Sequence, residues 1–257
     1  MDLKKINSLT KYPSILTYHQ LGERGRLNDV LTESGGFSGS EEVFVYEKVD
    51  GENSRIIFFK NNNEVDYLIG SREELLYAKG DRIGNPYGNI AGFLKPLAEK
   101  LAGDIFNGNE SELTVIYQES YGGKTKASKN YTATKAQGYR VFDVFSLEKE
   151  ELANLLELSQ ENIAEWRDHG NQPFYAEEEK NRFVQRMDLE SAPLLAAIQG
   201  SEFPASLENT YSYLQQFGNT QAGIDAAGKA EGIIAPTSDR TQIRKIRFED
   251  YERTCRK

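Results

Sequence analysis

Lys48 is the residue of this chain whose position is best suited to covalent chemistry. It ends the strand-like segment VFVYEK, and a turn with Asp50 and Gly51 follows directly. A lysine amine is a nucleophile only when it is deprotonated, which desolvation or neighbouring cations promote, and the end of a buried strand provides such surroundings. The Lys-x-Asp-Gly pattern is also typical of a surface lysine before an ordinary hairpin turn, so the pattern alone does not identify Lys48 as a nucleophile.

Two glutamates are candidate metal ligands. Glu231 in EGIIAP is an acidic residue on a segment that otherwise has small and apolar residues, and Glu119 ends a strand-like segment before the Gly122-Gly123 turn. Carboxylate oxygens suit Mg²⁺, which is usually held by a few carboxylates together with phosphate oxygens and water. Glu119 could instead contact a ribose. Either glutamate could also be a strand-end residue in contact with solvent.

Lys245 and Arg247 in RKIR are candidate phosphate ligands. They lie two positions apart, so they project from the same face of a strand, although a solvated strand face would show the same pattern. Phe142 and Asp143 in GYRVFDVF are expected to point to opposite faces of their strand. Phe142 could then stack on a base, or it could be an ordinary core residue.

A basic island lies in the middle of the chain. No acidic residue occurs between Glu119 and Asp143, and that segment holds Tyr121, Tyr131 and Thr132. The lysines of the island are Lys124, Lys126, Lys129 and Lys135. The formal net charge of −9 argues against a general nucleic-acid coating protein, because sequence-independent affinity for phosphates needs an excess of cations. Any contact with nucleic acid must therefore be local.

The elements that position these residues follow from the hydrophobic pattern. Short runs rich in β-branched and aromatic residues predict strands at 43–48, 54–60, 65–71, 113–118, 138–145, 230–236 and 241–251. Apolar residues at helical spacing predict a helix from Asn89, which Pro96 should kink or divide. The stretch from 146 to about 217 has helical periodicity throughout. Strands on both sides of this stretch predict an α+β fold, with residues 1–257 as one domain and 146–217 as a helical insertion.

The composition indicates the class of protein and its cellular compartment. A hydrophobic share of 38% and a charged share of 28% fit a packed globular protein. Cys255 is the single cysteine, which excludes a disulfide framework and a thiolate metal cluster within the chain and favours the cytoplasm. No apolar run approaches about 18 residues, so we expect neither export nor a membrane span.

The order of the motifs carries more information than any one of them. Lys-x-Asp-Gly, a strand glutamate before Gly-Gly, Phe-Asp, Glu-Gly-Ile-Ile and Lys-Ile-Arg resemble the ordered motifs of the covalent nucleotidyltransferases. This superfamily comprises the ATP- and NAD-dependent polynucleotide ligases and the mRNA capping enzymes. The resemblance extends over most of the chain and implies an adenylation domain of largely antiparallel sheets.

Within that superfamily, the chain is most similar to ligases of the RNA ligase 2 type, because its first motif continues to Asn53 as KVDGEN. In such ligases an asparagine at this position assists the final sealing step, whereas DNA ligases and capping enzymes usually have arginine near it. By this resemblance Lys48 is the adenylated residue and Lys245 and Arg247 act on the phosphates. The other implied contacts are Glu47 with adenine, Arg72 with phosphate, Phe142 with the adenine face, Glu119 with ribose or metal, and Glu231 and Asp50 with metal.

The resemblance implies an ATP-dependent RNA ligase that uses Mg²⁺ or Mn²⁺ and joins RNA ends. Two departures affect this expectation: Arg247 stands where RNA ligases usually have lysine, and the chain ends soon after Arg247, so we expect no separate C-terminal domain. An accessory domain or protein could then recognise the nick. The alternatives are a DNA ligase, a capping-type guanylyltransferase, a non-catalytic RNA-end-binding module that uses the basic island, and an interaction module that uses 146–217.

Overall fold

The computed structural model describes residues 2–61, 64–79 and 89–255. Within these residues the helices are α1 (Leu3–Thr10), α2 (Ile90–Ala102), α3 (Lys149–Glu157), α4 (Gln160–Asp168), α5 (Glu177–Arg186), α6 (Leu207–Leu214) and α7 (Phe248–Cys255). The strands are β1 (Leu16–Thr17), β2 (His19–Leu21), β3 (Leu27–Leu31), β4 (Glu42–Lys48), β5 (Glu52–Asn61), β6 (Glu64–Ser71), β7 (Leu75–Ala78), β8 (Leu113–Gly122), β9 (Gln137–Leu147), β10 (Leu194–Gln199), β11 (Gly232–Pro236) and β12 (Ile243–Arg247).

Two five-stranded sheets form the scaffold. Sheet I has the order β7-β6-β5-β8-β9 and is antiparallel throughout. Sheet II has the order β1-β12-β11-β4-β10, in which only β1 and β12 run parallel. The chain passes from sheet II to sheet I directly after Lys48, so the turn with Asp50 and Gly51 connects the two sheets. The predicted α+β fold with largely antiparallel sheets is confirmed.

Helices pack against both faces of sheet I and against sheet II. Helices α2 and α5 pack on one face of sheet I around Ile56 and Ile116, and α1, α3 and α4 pack on its other face around Ile57 and Val115. The alternation of these buried residues along β5 and β8 is what a sheet covered on both sides requires. Helices α6 and α7 cover sheet II around Val45. Within the described residues, no helix has both the length and the apolar character needed to cross a bilayer.

The predicted helical stretch 146–217 is wrong in one place. Helices α3 to α6 lie there, but Leu194–Gln199 forms β10, which pairs antiparallel with β4 at the edge of sheet II. The sequence LLAAIQ favours a helix by composition. The edge of β4 leaves a row of backbone groups that need partners, and tertiary pairing outweighs local propensity here.

Two further boundaries differ from the prediction. The strand predicted over 241–251 ends at Arg247, and the remainder is the first turn of α7. Helix α2 is not divided at Pro96, because its buried face of Leu94, Ala98 and Leu101 continues on both sides of the proline. The predicted strands at 43–48, 54–60, 65–71, 113–118 and 138–145 are confirmed to within a few residues at their ends.

Candidate active site

A cavity of about 560 Å³ lies between the two sheets. All the residues that the sequence predicts for the site line this cavity: Glu47, Lys48, Asp50, Asn53, Arg72, Glu119, Phe142, Glu231, Lys245 and Arg247. They come from both sheets and from the turns between the strands. The structure therefore brings together residues that are up to about two hundred positions apart in the chain.

Strand register places Lys48 beside the cations of the last motif. Lys48 pairs with Gly232 on β11, and Gly232 pairs with Arg247 on β12. Directly paired residues share a sheet face, and Lys245 lies two positions from Arg247, so all three cations project from one face. A Cβ atom on Gly232 would lie 2.2 Å from the carbonyl oxygen of Ile246, so this close approach of β11 and β12 requires glycine.

The side chain of Lys48 contacts Glu231. Its Nζ lies 2.5 Å from Oε2 of Glu231, and both side chains keep about a fifth to a quarter of their surface exposed to the cavity. Burial raises the pKa of the Glu231 carboxyl, with Asp50 acting in the same direction and Lys48 opposing both. Glu231 is therefore a better proton acceptor than an ordinary surface glutamate, and it lies at the amine.

The turn after Lys48 is fixed by Glu119. The backbone N–H of Gly51 donates to Oε1 of Glu119 at 3.1 Å, and a Cβ on Gly51 would lie 2.3 Å from the carbonyl oxygen of Ser120. Burial raises the pKa of Glu119 to about 8, and the carboxylates of Glu231 and Asp50 add to that effect. Mutually repelling carboxylates at one edge of a cavity favour the binding of a cation there.

The two cations of the last motif, Lys245 and Arg247, have different surroundings. Burial lowers the pKa of Lys245, and the positive charges of Arg247, Lys48 and Arg72 lower it further. The guanidinium of Arg247 makes a two-pronged ion pair with Asp250 of α7, at 2.8 and 2.9 Å. The sequence reasoning missed Asp250, because the segment that carries it was predicted to be a strand.

Arg72 lies at the mouth of the cavity. More than half of its side chain is exposed, and Nη2 donates to Oγ of Ser14 at 3.2 Å. Beneath it, the fully buried Arg55 donates from Nη1 to the carbonyl oxygens of Ser71 and Arg72 at 2.5 and 3.0 Å. Arg55 therefore fixes the backbone from which Arg72 projects.

The expected metal ligands do not form a ready-made metal centre. Among the described residues, no group of three acidic, histidine or cysteine side chains is arranged to hold an ion. Oε2 of Glu231 is paired with Lys48, and Oε1 of Glu119 accepts from Gly51. A divalent ion at this edge would need additional oxygen ligands, such as those of a polyphosphate.

The side chain of Glu47 does not face the cavity as the expected adenine contact requires. Its carboxylate accepts from Thr220 Oγ1, from Gln221 N at 2.7 Å and from Ala222 N at 3.1 Å, and the side chain is almost fully buried. Successive strand residues point to opposite faces, so a carboxylate next to Lys48 points away from the Lys48 side. Only the backbone of Glu47 is available to a ligand, and the side chain anchors the loop at 220–222.

Phe142 and Asp143 do not point to opposite faces. Tyr117 pairs with Asp143 and Gln118 pairs with Val141, so Phe142 is the extra residue of a β-bulge. Both side chains contact Tyr12: its ring packs edge-on against Phe142 at 4.9 Å, and its hydroxyl donates to Asp143. Phe142 keeps part of its ring exposed to the cavity.

A buried polar network that the sequence did not predict closes the cavity at the Phe142 side. Nε of Arg240 lies 2.8 Å from Asp143, and Nη2 lies 2.9 Å from Glu177 of α5. Glu177 also accepts from Tyr46, and Lys180 Nζ donates to the Tyr46 hydroxyl at 2.9 Å. The network ties β9, β4, α5 and the β11–β12 loop together. Arg240 has a left-handed backbone (φ 63°), and no motif in the sequence marks its position.

Asn53 lies opposite Glu119 in the pairing of β5 with β8. Its Oδ1 is buried and accepts no hydrogen bond from the described part of the chain. An unpartnered buried acceptor is costly, and such groups are concentrated at functional sites.

The fold is that of a nucleotidyltransferase domain, with two antiparallel-rich sheets around a cavity that a strand-end lysine enters. The sequence profile of the RNA ligase family matches residues 41–248, which include every predicted site residue. The chain belongs to the RNA ligase family. No curated protein sequence matches it.

The chain is similar in fold to solved structures of an RNA ligase from Naegleria gruberi. The form with PPi has a TM-score of 0.58 at 10% identity, over 95% of this chain and 58% of that chain. A mutant form with ATP and Mn gives 0.58 at 12% identity, over the same shares of the two chains. A mutant apo form gives 0.52 at 15% identity, over 82% and 51%. This chain thus spans between half and three fifths of the length of those chains.

Proposed function

We propose that this protein is an ATP-dependent RNA ligase of the RNA ligase 2 type, which joins 5′-phosphate and 3′-hydroxyl ends through a lysyl-AMP intermediate on Lys48. The observation that carries the proposal is the placement of Lys48 against Glu231, on the sheet face that also presents Lys245 and Arg247. A nucleophile, a proton acceptor and two phosphate-binding cations then share one cavity.

In the first step, Nζ of Lys48 attacks the α-phosphorus of ATP. A phosphorus–nitrogen bond forms, the bond to the β-phosphate oxygen breaks, and pyrophosphate leaves. The amine must lose protons, and Oε2 of Glu231 at 2.5 Å is placed to accept one. The raised pKa of Glu231 supports this role, because a carboxyl with a higher pKa holds a proton more firmly.

Lys245, Arg247 and Arg72 neutralise charge on the phosphates during this transfer. Phosphoryl transfer depends mainly on positioning and electrostatic stabilisation, so a cluster of cations at the attacked phosphate is what the reaction requires. The ion pair between Arg247 and Asp250 fixes the guanidinium in one orientation. Preorganised cations need little rearrangement as negative charge develops.

The exposed part of the Phe142 ring provides a surface for the adenine base. Tyr12 packs edge-on against that ring and holds it in place. The backbone of Glu47, rather than its carboxylate, is available to the base edge.

Mg²⁺ or Mn²⁺ fits the carboxylate edge of the cavity. Glu231, Glu119 and Asp50 would hold the ion together with nucleotide oxygens, and its charge would oppose the burial and the neighbouring carboxylates that raise the pKa of Glu119 to about 8. The ion would supply positive charge to the polyphosphate. The similar Naegleria ligase was solved with ATP and Mn, which supports the same class of ligands.

Two further transfers complete the joining reaction. The 5′-phosphate of one RNA end attacks the phosphorus of lysyl-AMP, the phosphorus–nitrogen bond breaks, and Lys48 leaves as a neutral amine because its nitrogen takes back the proton that Glu231 accepted in the first step. The 3′-hydroxyl of the other end then attacks the activated 5′-phosphate, and AMP leaves. We assign Asn53 to this last step, since it lies opposite Glu119 at the same edge as Asp50.

Sealing of nicked duplexes tests the proposal directly. Four substrates with RNA or DNA on either side of the nick are incubated with ATP and Mg²⁺, and the products are resolved by length. We expect joining of the nick that has RNA on both sides. Sealing of all-DNA nicks alone would point to a DNA ligase, and covalent labelling by GTP alone would point to a guanylyltransferase. RNA binding with neither reaction would leave a non-catalytic RNA-end-binding module.

A further inference from the structure

The basic loop, residues 123–136 between β8 and β9, carries the lysine island of the sequence. The side chains of Lys124, Lys126, Lys129 and Lys135 are all exposed. None of them forms an ion pair with an acid among residues 2–61, 64–79 and 89–255. Several lysines outside the loop are paired with acids, as in the ion pairs of Lys11, Lys100 and Lys229, and the net charge of the protein is −9.

The basic loop is held in one conformation by its own hydrogen bonds. Oγ1 of Thr132 accepts from the backbone N–H groups of Thr134 and Ala136 at 3.1 Å, and Ser128 Oγ donates to the Gly123 carbonyl at 3.0 Å. The neighbouring Asp225 uses both carboxylate oxygens on the loop, accepting from Ala133 N at 2.7 Å and from Thr134 Oγ1 at 2.6 Å. A surface that is already ordered loses little entropy when it binds a ligand.

Tyr131 fixes the basic loop to the residues that follow Lys48. Its ring is fully buried and packs with Val49, Tyr121 and Ala222 in a small apolar cluster. Its hydroxyl accepts from the backbone N–H of Asp50 at 2.6 Å. Val49 and Asp50 directly follow the proposed nucleophile. Through Tyr131, the loop that carries the lysines therefore packs against the turn after Lys48.

Ring contacts connect the basic loop to a residue of the cavity wall. The guanidinium of Arg140, which also pairs with Glu190, lies 5.8 Å from the centre of the Tyr121 ring, and Arg140 lines the cavity. Tyr121 in turn packs against Tyr131, with ring centres 4.9 Å apart. The contacts of Tyr131, Tyr121 and Arg140 therefore connect the basic loop to the cavity.

We infer that the basic loop binds the phosphate backbone of the RNA strand whose end enters the cavity. This inference rests on the proposed function, because it assigns a path to the RNA substrate of that reaction. Several lysines without acidic partners match the regularly spaced phosphates of a nucleic-acid backbone. When the lysines neutralise these phosphates, counterions are released and the affinity increases. The binding is expected to be independent of base sequence, since lysines contact phosphate rather than base edges.

The test compares two triple variants of the full chain. Lys124→Gln, Lys126→Gln and Lys129→Gln are combined in one, and Lys135 is retained because its backbone is left-handed (φ 62°). The charge-matched control combines Lys4→Gln, Lys100→Gln and Lys149→Gln, which lie exposed on α1, α2 and α3 and do not line the cavity, although Lys100 also loses its ion pair with Asp188. Both variants lose the same total charge.

Binding of a single-stranded, 5′-phosphorylated oligoribonucleotide is measured by fluorescence anisotropy at several salt concentrations. The loop variant should bind roughly tenfold more weakly at low salt, and the slope of log affinity against log salt should become shallower by about 2 units. The control should change much less. Equal losses in both variants, an unchanged slope, or equally effective competition by polyaspartate would overturn the inference.

Labelling of Lys48 by ATP without RNA separates this inference from the proposed function. Both variants should label like the parent protein, since the loop lysines do not line the cavity. Loss of labelling in the loop variant would show that the substitutions disturb the catalytic turn and would count against the inference. If the parent protein binds RNA through the loop but is not labelled by ATP, the proposed function fails and the loop assignment stands.

Discussion

Nζ of Lys48 and Oε2 of Glu231 lie 2.5 Å apart, although 183 positions separate the two residues in the chain. Pairing of β4 with β11 brings them together, and Gly232 allows the close approach. The contact places a proton acceptor with a raised pKa against the one lysine that the first motif marks. It is the relationship on which the proposed chemistry depends.

Replacing Glu231 by glutamine tests that relationship. The Glu231→Gln variant keeps the side-chain shape but removes the proton acceptor and one negative charge, so we expect transfer of AMP to Lys48 to slow by about 10² to 10⁴-fold. The rate of covalent labelling by α-phosphate-labelled ATP measures the effect. Glu157→Gln, at an exposed position of α3, is the matched control and should label normally. A Glu231→Gln rate close to that of the parent protein would contradict the assignment.

Replacing Gly51 by alanine tests the geometry of the turn after Lys48. The new Cβ would lie 2.3 Å from the backbone oxygen of Ser120, so the turn must shift. We expect a loss of about 1 to 3 kcal/mol in the free energy of unfolding and slower labelling of Lys48. Gly103→Ala is the control, because its Cβ would meet nothing within 4 Å and its backbone is right-handed. That variant should be neutral or slightly more stable.

Replacing Glu47 by alanine separates an anchoring role from a contact with the base. The variant leaves the buried N–H of Ala222 without its carboxylate partner, so unfolding should require roughly 2 to 4 kcal/mol less free energy in denaturant titrations. Glu42→Ala, at an exposed position of the same strand, should change little. A Glu47→Ala protein of normal stability and weakened ATP affinity would show instead that the carboxylate reads the base.

Replacing Lys180 by methionine tests the buried network. Burial and the nearby Arg240 lower the pKa of Lys180 to about 8 in the folded state, below its usual value of 10.5. Between those two pH values the unfolded chain binds more protons than the folded one, so the free energy of unfolding rises with pH. We expect a rise of up to roughly 1 kcal/mol per pH unit above pH 8, measured to about pH 9, where unfolded tyrosines with a pKa near 10 are still mostly protonated.

The Lys180→Met variant should lose this rise, whereas Lys149→Met, at an exposed position of α3, should retain it. Identical pH dependence of unfolding in the parent protein and in Lys180→Met would show that Lys180 is not held in the folded state with a lowered pKa.

The sequence predicts those parts of the site that depend on the alternation of side chains along a strand and on the order of the motifs. Alternation within strands predicts that Lys245 and Arg247 share a face, and the register with Gly232 agrees. The motif order predicts that Lys48, Glu119 and Glu231 meet, and all three line the cavity.

The parts that the sequence does not predict depend on long-range partners. Leu194–Gln199 becomes a strand only because the edge of β4 is available, and Phe142 turns towards Tyr12 only because a bulge interrupts the pairing of β8 with β9. The carboxylate of Glu47 faces a loop that is some 170 positions away in the chain. Arg240 belongs to no motif and is identified only by its buried ion pairs with Asp143 and Glu177.

The most direct test of the account is the identity of the residue that ATP labels. The protein is incubated with α-phosphate-labelled ATP and Mg²⁺, denatured, and digested, and the modified peptide is located by mass spectrometry. We predict one AMP on Lys48, released by acid as expected for a phosphorus–nitrogen bond, and no label in Lys48→Ala. Covalent label that persists in Lys48→Ala, or AMP attached to another residue, would contradict the central claim.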